Sequence, residues 1–280
     1  MAQNCSECGE PARLRRVEGC AWKVICACPD FAAYQPQTRA TIIVPSRYDD
    51  IFEGCKSSIN KFAPSEKKVL VRDGDAIVPP EGWTTIHGPK EKFCYARNVN
   101  LGAKSAPPDS DIFLCNDDVL FKHKGTLEIM QNVMNRYPDV GILSPLIIGQ
   151  VGHYDQGHIA ETQTIQYTEC RLCFVAVLIR RAVWDKIGGL DERIGANGSY
   201  GWDDCDACRR VVNAGYKLAT TGRAKVQHGH IDGKWSTSFR RESSTMDQMD
   251  KIASKQYFDI WGDNDLGCYG KEPNKFLAAL

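Results

Sequence analysis

From Ala40 onward, strand-sized apolar runs alternate with segments of helical spacing, and few architectures accept that order. ATIIVPS, residues 40 to 46, is an apolar, β-branched run that contains Pro45, and Asp49 to Phe62 (DDIFEGCKSSINKF) follows with helical periodicity. KKVLVRDGD closes a second strand on an acidic turn. FCYARNVNLGAKSA sets Ala and Leu along one side of a helix, and DIFLCNDDV, GTLEIMQNVMNRY and VGILSPLI continue as strand, helix and strand. Strands joined through helices predict an α/β fold with a mostly parallel sheet and helices on both faces.

The 280 residues suffice for one sizeable α/β domain and a small appendage. Formal net charge is zero, so no global field would draw the chain to nucleic acid or an anionic membrane. The longest apolar run, Cys173 to Ile179, is the length of a strand and far short of a membrane span. The amino-terminal MAQNCSECGE has no signal-peptide apolar core, so the sequence predicts a soluble, non-secreted, cytoplasmic protein.

Five of the thirteen cysteines fall in the first 36 residues, as Cys5-x2-Cys8, Cys20 and Cys26-x-Cys28. Paired thiolates on short knuckles, joined by the hairpin-like LRRVEGCAWKVIC, suit tetrahedral zinc in a segment too small to build a core. The pattern resembles the small zinc ribbons of phage and bacterial proteins, with Cys5, Cys8, Cys26 and Cys28 as ligands and Cys20 spare. The expected division is therefore a zinc ribbon over 1–36, an α/β domain over 37–236 and a helical extension over 237–280. A second pair of knuckles, Cys170-x2-Cys173 and Cys205-x2-Cys208, has zinc-compatible spacing, but Cys205 and Cys208 lie three apart on a predicted helix where cysteine also packs well as an apolar residue.

FLCNDDVLF, residues 113 to 121, interrupts an apolar run with an amide and two carboxylates. Burying an unpaired carboxylate costs several kcal/mol, so these acids belong at a strand end, facing a cation, a ligand or water. The segment reads either as a polar turn or as a divalent-metal site at the carboxyl end of a strand, where open α/β sheets bind their ligands.

In order and spacing, these motifs resemble the family 2 glycosyltransferases of the GT-A fold, from about Ala40 to Ser236. The family's first strand ends as TIIVPSRYDD does, which puts Pro45, Ser46 and Arg47 on the donor side. Its second strand ends in an acidic turn like VLVRDGD, where Asp73 would meet the nucleotide base. Ala96-Arg97-Asn98 matches a helix start whose arginine lies near the diphosphate, and Asn98 accompanies it. Asn116-Asp117-Asp118 matches the Asn-x-Asp version of the DXD motif: Asp118 would hold Mn2+ or Mg2+, and Asn116 and Asp117 would face the donor. GGLDE followed by Gly201-Trp202-Asp203-Asp204 matches the catalytic segment, with Asp204 in the place of the general base and Asp203 in that of the preceding glutamate. Two acids at a helix start also interact favourably with its dipole without any function. Trp202 is either a platform for the acceptor or part of the core. In the late strand AKVQHGH, His228 would complete the metal's protein ligands, with His230 as its substitute, and Lys234 would add positive charge near the phosphates.

The resemblance implies a metal-dependent inverting transfer from a nucleoside-diphosphate sugar, a uridine diphosphate sugar first. The acceptor choices are a hydroxylated base in phage-type DNA, reached through Arg13, Arg15, Arg16 and Lys23 of the ribbon, a virion protein, or a glycan. The alternatives are a non-catalytic nucleotide-sugar or nucleic-acid binding module built on the ribbon, and a nucleotidyltransferase, although VPSRYDD lacks that class's glycine-rich loop. If the ribbon holds zinc, chelation should remove about one zinc per chain and disorder residues 1–36 while leaving the α/β domain folded; metal quantification with hydrogen exchange reads both.

Overall fold

The computed structural model describes residues 13–15, 23–25, 40–73, 79–88, 93–149, 153–168, 171–196, 199, 201–229 and 246–262. Near the amino terminus, β1 (Arg13–Arg15) and β2 (Lys23–Ile25) pair antiparallel with Leu14 opposite Val24, which is the hairpin expected between the two cysteine clusters. The four expected zinc ligands Cys5, Cys8, Cys26 and Cys28 lie outside the described residues, as do Cys170, His230 and Lys234.

The main body is a nine-stranded sheet with helices on both faces. Its strands are β3 (Ala40–Ser46), β4 (Lys67–Arg72), β5 (Thr84–His87), β6 (Asp111–Cys115), β7 (Val119–Phe121), β8 (Val140–Gly149), β9 (Gln166–Thr168), β10 (Ala176–Ile179) and β11 (Lys217–His228). They lie in the order β5-β4-β3-β6-β10-β8-β11-β7, and β9 pairs with β11 off this path. The pairs β4–β5, β3–β4, β3–β6 and β8–β11 are parallel; β6–β10, β8–β10, β7–β11 and β9–β11 are antiparallel. The sheet is therefore mixed rather than mostly parallel. The difference arises at β10 and at the short β7 and β9: a strand such as β10, buried on both faces, is apolar throughout, so its sequence carries no mark of direction.

One face of the sheet is covered by α1 (Asp49–Phe62) and α3 (Thr126–Arg136), whose Phe52, Cys55, Ile59, Leu127, Met130 and Val133 join Val44, Phe113 and Leu143 in one cluster. The other is covered by α2 (Tyr95–Ser105), α5 (Arg181–Ile187) and α6 (Asp203–Asn213), through Val99, Ala103, Val183, Trp184 and Val211. Each helix buries one stripe, as its spacing requires. The short α4 (Tyr154–His158) packs along β8.

The carboxy-terminal segment contributes α7 (Met246–Trp261), within the stretch expected to be helical. It is seated on α6: Tyr257 is fully buried with Ile194 and Cys205, the Trp261 indole N–H donates to Asp206 at 2.9 Å, and the buried Arg209 donates to the Tyr257 hydroxyl at 3.2 Å. Gln256 clasps the loop before α6, accepting from Gly195 N–H at 3.1 Å and Ser199 Oγ at 2.7 Å. Among the described residues no helix is long and apolar enough to cross a membrane.

Gly149 ends β8 opposite His228 of β11 with φ of 107°, and a Cβ there would lie 2.5 Å from the His228 carbonyl oxygen. Gly149→Ala is expected to cost roughly 1–3 kcal/mol in urea unfolding, through the disfavoured backbone and the displaced end of β11.

Candidate active site at the carboxyl ends of the strands

Because β10 is antiparallel to both β6 and β8, two reversals bring β8 and β11 back into the direction of β3, β4 and β6. The carboxyl ends of β3, β4, β6, β8 and β11 therefore share one edge of the sheet. That edge gathers Ser46, Asp73, the turn Asn116 to Asp118, and His228.

The acidic turn is held from several sides. Asn116 N–H donates to Val175 O at 2.9 Å, and Ser46 Oγ donates to Asp117 Oδ2 at 2.8 Å, so β3 fixes the first carboxylate. Immediately after the turn the chain forms β7, which pairs with the end of β11 and puts Val119 opposite His228. Gly229 N–H also donates to Asp118 O at 3.0 Å. As a result His228 Nε2 lies 3.3 Å from Asp118 Oδ1. The Asp118 side chain is fully buried, yet among the described residues neither of its oxygens accepts a hydrogen bond. A buried carboxylate without donors is costly unless a cation faces it. Asp118 and His228 offer the oxygen and nitrogen that a divalent cation takes, and two protein ligands leave coordination positions for phosphate oxygens. Among the described residues no three His, Cys, Asp or Glu side chains gather into a metal cage, so a cation here would depend on a bound ligand to complete its shell.

Beside this turn, a second group of expected donor residues converges on Gly88. A Cβ at Gly88 would lie 2.7 Å from Asp73 Oδ1 and 3.1 Å from Asn98 Oδ1. Asp73 and Asn98 are both buried, and neither amide atom of Asn98 has a hydrogen-bond partner among the described residues. Pro45 is buried within β3, paired with Val71, while Arg47 follows the strand and is partly buried. Arg97 lies one turn into α2, within electrostatic reach of Cys94. Burial pushes that thiol up, Arg97 pulls it down, and Asp203 and Glu192 add to the rise, which sets α2 and the start of α6 side by side.

Asp203 and Asp204 occupy the first turn of α6, behind Trp202. Trp202 is the only non-glycine residue with positive φ among those described, at 70°, a conformation disfavoured for a bulky side chain. Its indole N–H donates to Asp250 of α7 at 3.0 Å and its ring lies 5.2 Å from Tyr257. The side chain expected either as an acceptor platform or as core is thus engaged by α7. Asp204 Oδ1 accepts from Cys205 N–H at 2.8 Å. Burial and the neighbouring Asp204 charge push the Asp203 carboxyl up to about 8, so it holds a proton at neutral pH.

Behind the acids, Cys205 and Cys208 are buried. Arg171 donates to Cys205 Sγ at 3.4 Å, Leu172 N–H donates to Cys208 Sγ at 3.3 Å, and burial raises both thiols well above their usual range. Arg171 and Gln156, which connect these parts, were not legible in the sequence; only the fully polar character of Gln156 in a short helix against an apolar strand hinted at an internal partner.

A large mixed sheet with helices on both faces and an acidic turn at its carboxyl edge accords with the GT-A-like fold expected from the sequence, and comparison with solved structures supports that fold. Among solved structures, that of GalNAc-T7 with UDP, GalNAc and Mn2+ matches with a TM-score of 0.59 at 11% identity, covering 80% of this chain and 49% of that one. The chain thus spans about half the length of that protein, and at this identity the likeness establishes the fold alone. No protein-family profile and no curated protein sequence matches the chain.

The proton on Asp203 predicts a pH signature. An unfolded aspartate ionises near pH 3.9. The native carboxyl holds its proton up to about pH 8, so between these values the folded state binds the extra proton and stability falls as pH rises. Asp203→Asn should lose less Tm than the parent between pH 5 and pH 8, as read by thermal unfolding at both.

Proposed function

We propose that this chain is a metal-dependent inverting glycosyltransferase that moves a sugar from a nucleoside diphosphate, a uridine diphosphate first, to a hydroxyl acceptor. The observation that carries this reading is Asp118: a buried carboxylate with no donor among the described residues, facing His228 at 3.3 Å on the ligand-binding edge of a GT-A-like fold. The structural neighbour was solved with UDP, GalNAc and Mn2+, which supports a nucleotide-sugar donor and a divalent metal.

Asp118 and His228 would hold the cation, whose charge would offset the negative charge that develops on the departing diphosphate. Asp117, steadied by Ser46, faces the donor, and Asp73 and Asn98 would take up the nucleotide's polar groups beside Gly88. Arg97 would add positive charge on the same side. The acceptor hydroxyl gives its proton to Asp204 while its oxygen attacks the anomeric carbon, and the bonding pair leaves with the diphosphate. Burial and the Asp204 charge raise the Asp203 carboxyl, so the two neighbouring acids do not both ionise freely, and the motif match assigns the base role to Asp204.

Two variants test this assignment in a thermal-shift and turnover panel of nucleotide sugars with Mn2+, Mg2+ or chelator. Asp118→Ala should abolish both metal-dependent stabilisation and transfer. Asp204→Asn should keep the stabilisation but lose about 10²- to 10⁴-fold in turnover. Unchanged turnover in Asp204→Asn would move the base elsewhere, and a parent protein stabilised by no nucleotide sugar would overturn the reading.

A further inference from the structure

Asp204 is gripped on one of its two oxygens. Its Oδ1 accepts from the Cys205 N–H at 2.8 Å and lies 3.3 Å from the Cys205 thiol sulfur, which in turn lies 3.4 Å from Arg171 Nη1. Chemistry fixes the direction of both thiol contacts. A guanidinium can only donate, so the sulfur accepts from Arg171, and the single thiol proton is left for the carboxylate. Burial and the neighbouring Asp204 charge raise the thiol well above its usual range, so that proton stays on the sulfur at neutral pH.

Both members behind the carboxylate are held in place. Cys205 is 3% exposed and packs with the fully buried Ile194 and Tyr257. Arg171 belongs to a segment that is bonded to α6 one turn further on: Leu172 N–H donates to Cys208 Sγ at 3.3 Å. The next residue, Cys173, is bonded through both its N–H and its C=O to the buried Gln156. Cys205 and Cys208 are three residues apart on one helix face, so a single segment meets both sulfurs.

The two oxygens of Asp204 are therefore unlike. Oδ1 takes the N–H and the S–H of one residue, whereas Oδ2 makes no hydrogen bond among the described residues, and the side chain is only partly buried. A carboxylate that removes a proton needs one oxygen oriented by its surroundings and the other open to the acceptor.

Resting on the glycosyltransferase reading above, we infer that Cys205 and Arg171 are positioning residues of the transfer: the thiol proton, backed by the guanidinium, fixes Asp204 Oδ1 so that Oδ2 takes the acceptor proton. In that step the acceptor O–H bond breaks and its proton goes to Oδ2. The pair left on oxygen forms the bond to the anomeric carbon, and the bond to the diphosphate breaks with its own pair.

The test uses the full chain with UDP-glucose, UDP-galactose and UDP-N-acetylgalactosamine, each with Mn2+, with water as acceptor and released UDP as the readout. Cys205→Ala should lower kcat about tenfold at unchanged KM for the nucleotide sugar, and Cys205→Ser, whose hydroxyl replaces the donor, should recover most of it. A side chain needed only for packing would give the opposite order, since an apolar wall accepts a methyl better than a hydroxyl. Arg171→Met should lower kcat by a similar factor, and stabilisation by UDP with Mn2+ should be the same in all of these proteins. Independently of turnover, the infrared S–H band lost in Cys205→Ala should lie below that of a free thiol and move up in Asp204→Ala. Equal kcat in the parent and Cys205→Ala, Cys205→Ser slower than Cys205→Ala, or an S–H band that Asp204→Ala leaves in place would each overturn the assignment. No UDP release by the parent would strike the glycosyltransferase reading, while the S–H band still decides whether the thiol holds Asp204.

Discussion

The insertion of β10 between β6 and β8 is the constraint on which the rest of the molecule depends. It is antiparallel to both neighbours, and its first residue, Ala176, lies opposite Cys115 at the edge where β6 ends. Two consequences follow from that geometry. The strands on either side of β10 run the same way, so residues from β3, β4, β6 and β11 meet on one edge. The segment leading into β10 must also cross that edge, where it bonds to Gln156, to Cys208 and to Asn116 in turn.

The edge so formed brings buried acids together, Asp73, Asp117 and Asp118 among them. Arg72 is fully buried but is paired with Asp49, and Asp206 is paired with Arg210 at 2.6 Å and with the Trp261 indole. Those ionised groups have structural partners. Asp118 lacks donors among the described residues, and Asp203 avoids the cost by keeping its proton. The strained Trp202 backbone belongs to the same pattern, since a disfavoured conformation persists only where the surroundings over-determine it. Here the surroundings are α7, through Asp250 and Tyr257.

Much of this was legible in the sequence, and for definable reasons. Apolar periodicity marked β3, β4, β6 and β8 and the helices α1, α2 and α3, because burying one stripe or two faces leaves a pattern that local residues must obey. The interruption at Asn116 to Asp118 marked the end of β6, because carboxylates cannot remain inside a sheet. Strand direction was not legible at β10, and the sheet is mixed where a mostly parallel one was expected. The contribution of α7 was equally hidden: its contacts with Trp202, Asp206 and Arg209 cross about fifty residues of chain, and no local pattern records them.

By itself, the sequence determined which residues could bear charge at strand ends and helix starts, since desolvation energy permits carboxylates in few other places. Only the tertiary structure decided which of them face one another. Asp118 meets His228 because β7 pairs with β11, Ser46 meets Asp117 because β3 lies beside β6, and α4 is held to the segment before β10 because the buried Gln156 bonds both the N–H and the C=O of Cys173. Composition and periodicity encode the burial of each element, but the pairing of elements far apart in the chain rests on backbone hydrogen bonds that are chemically the same at every residue.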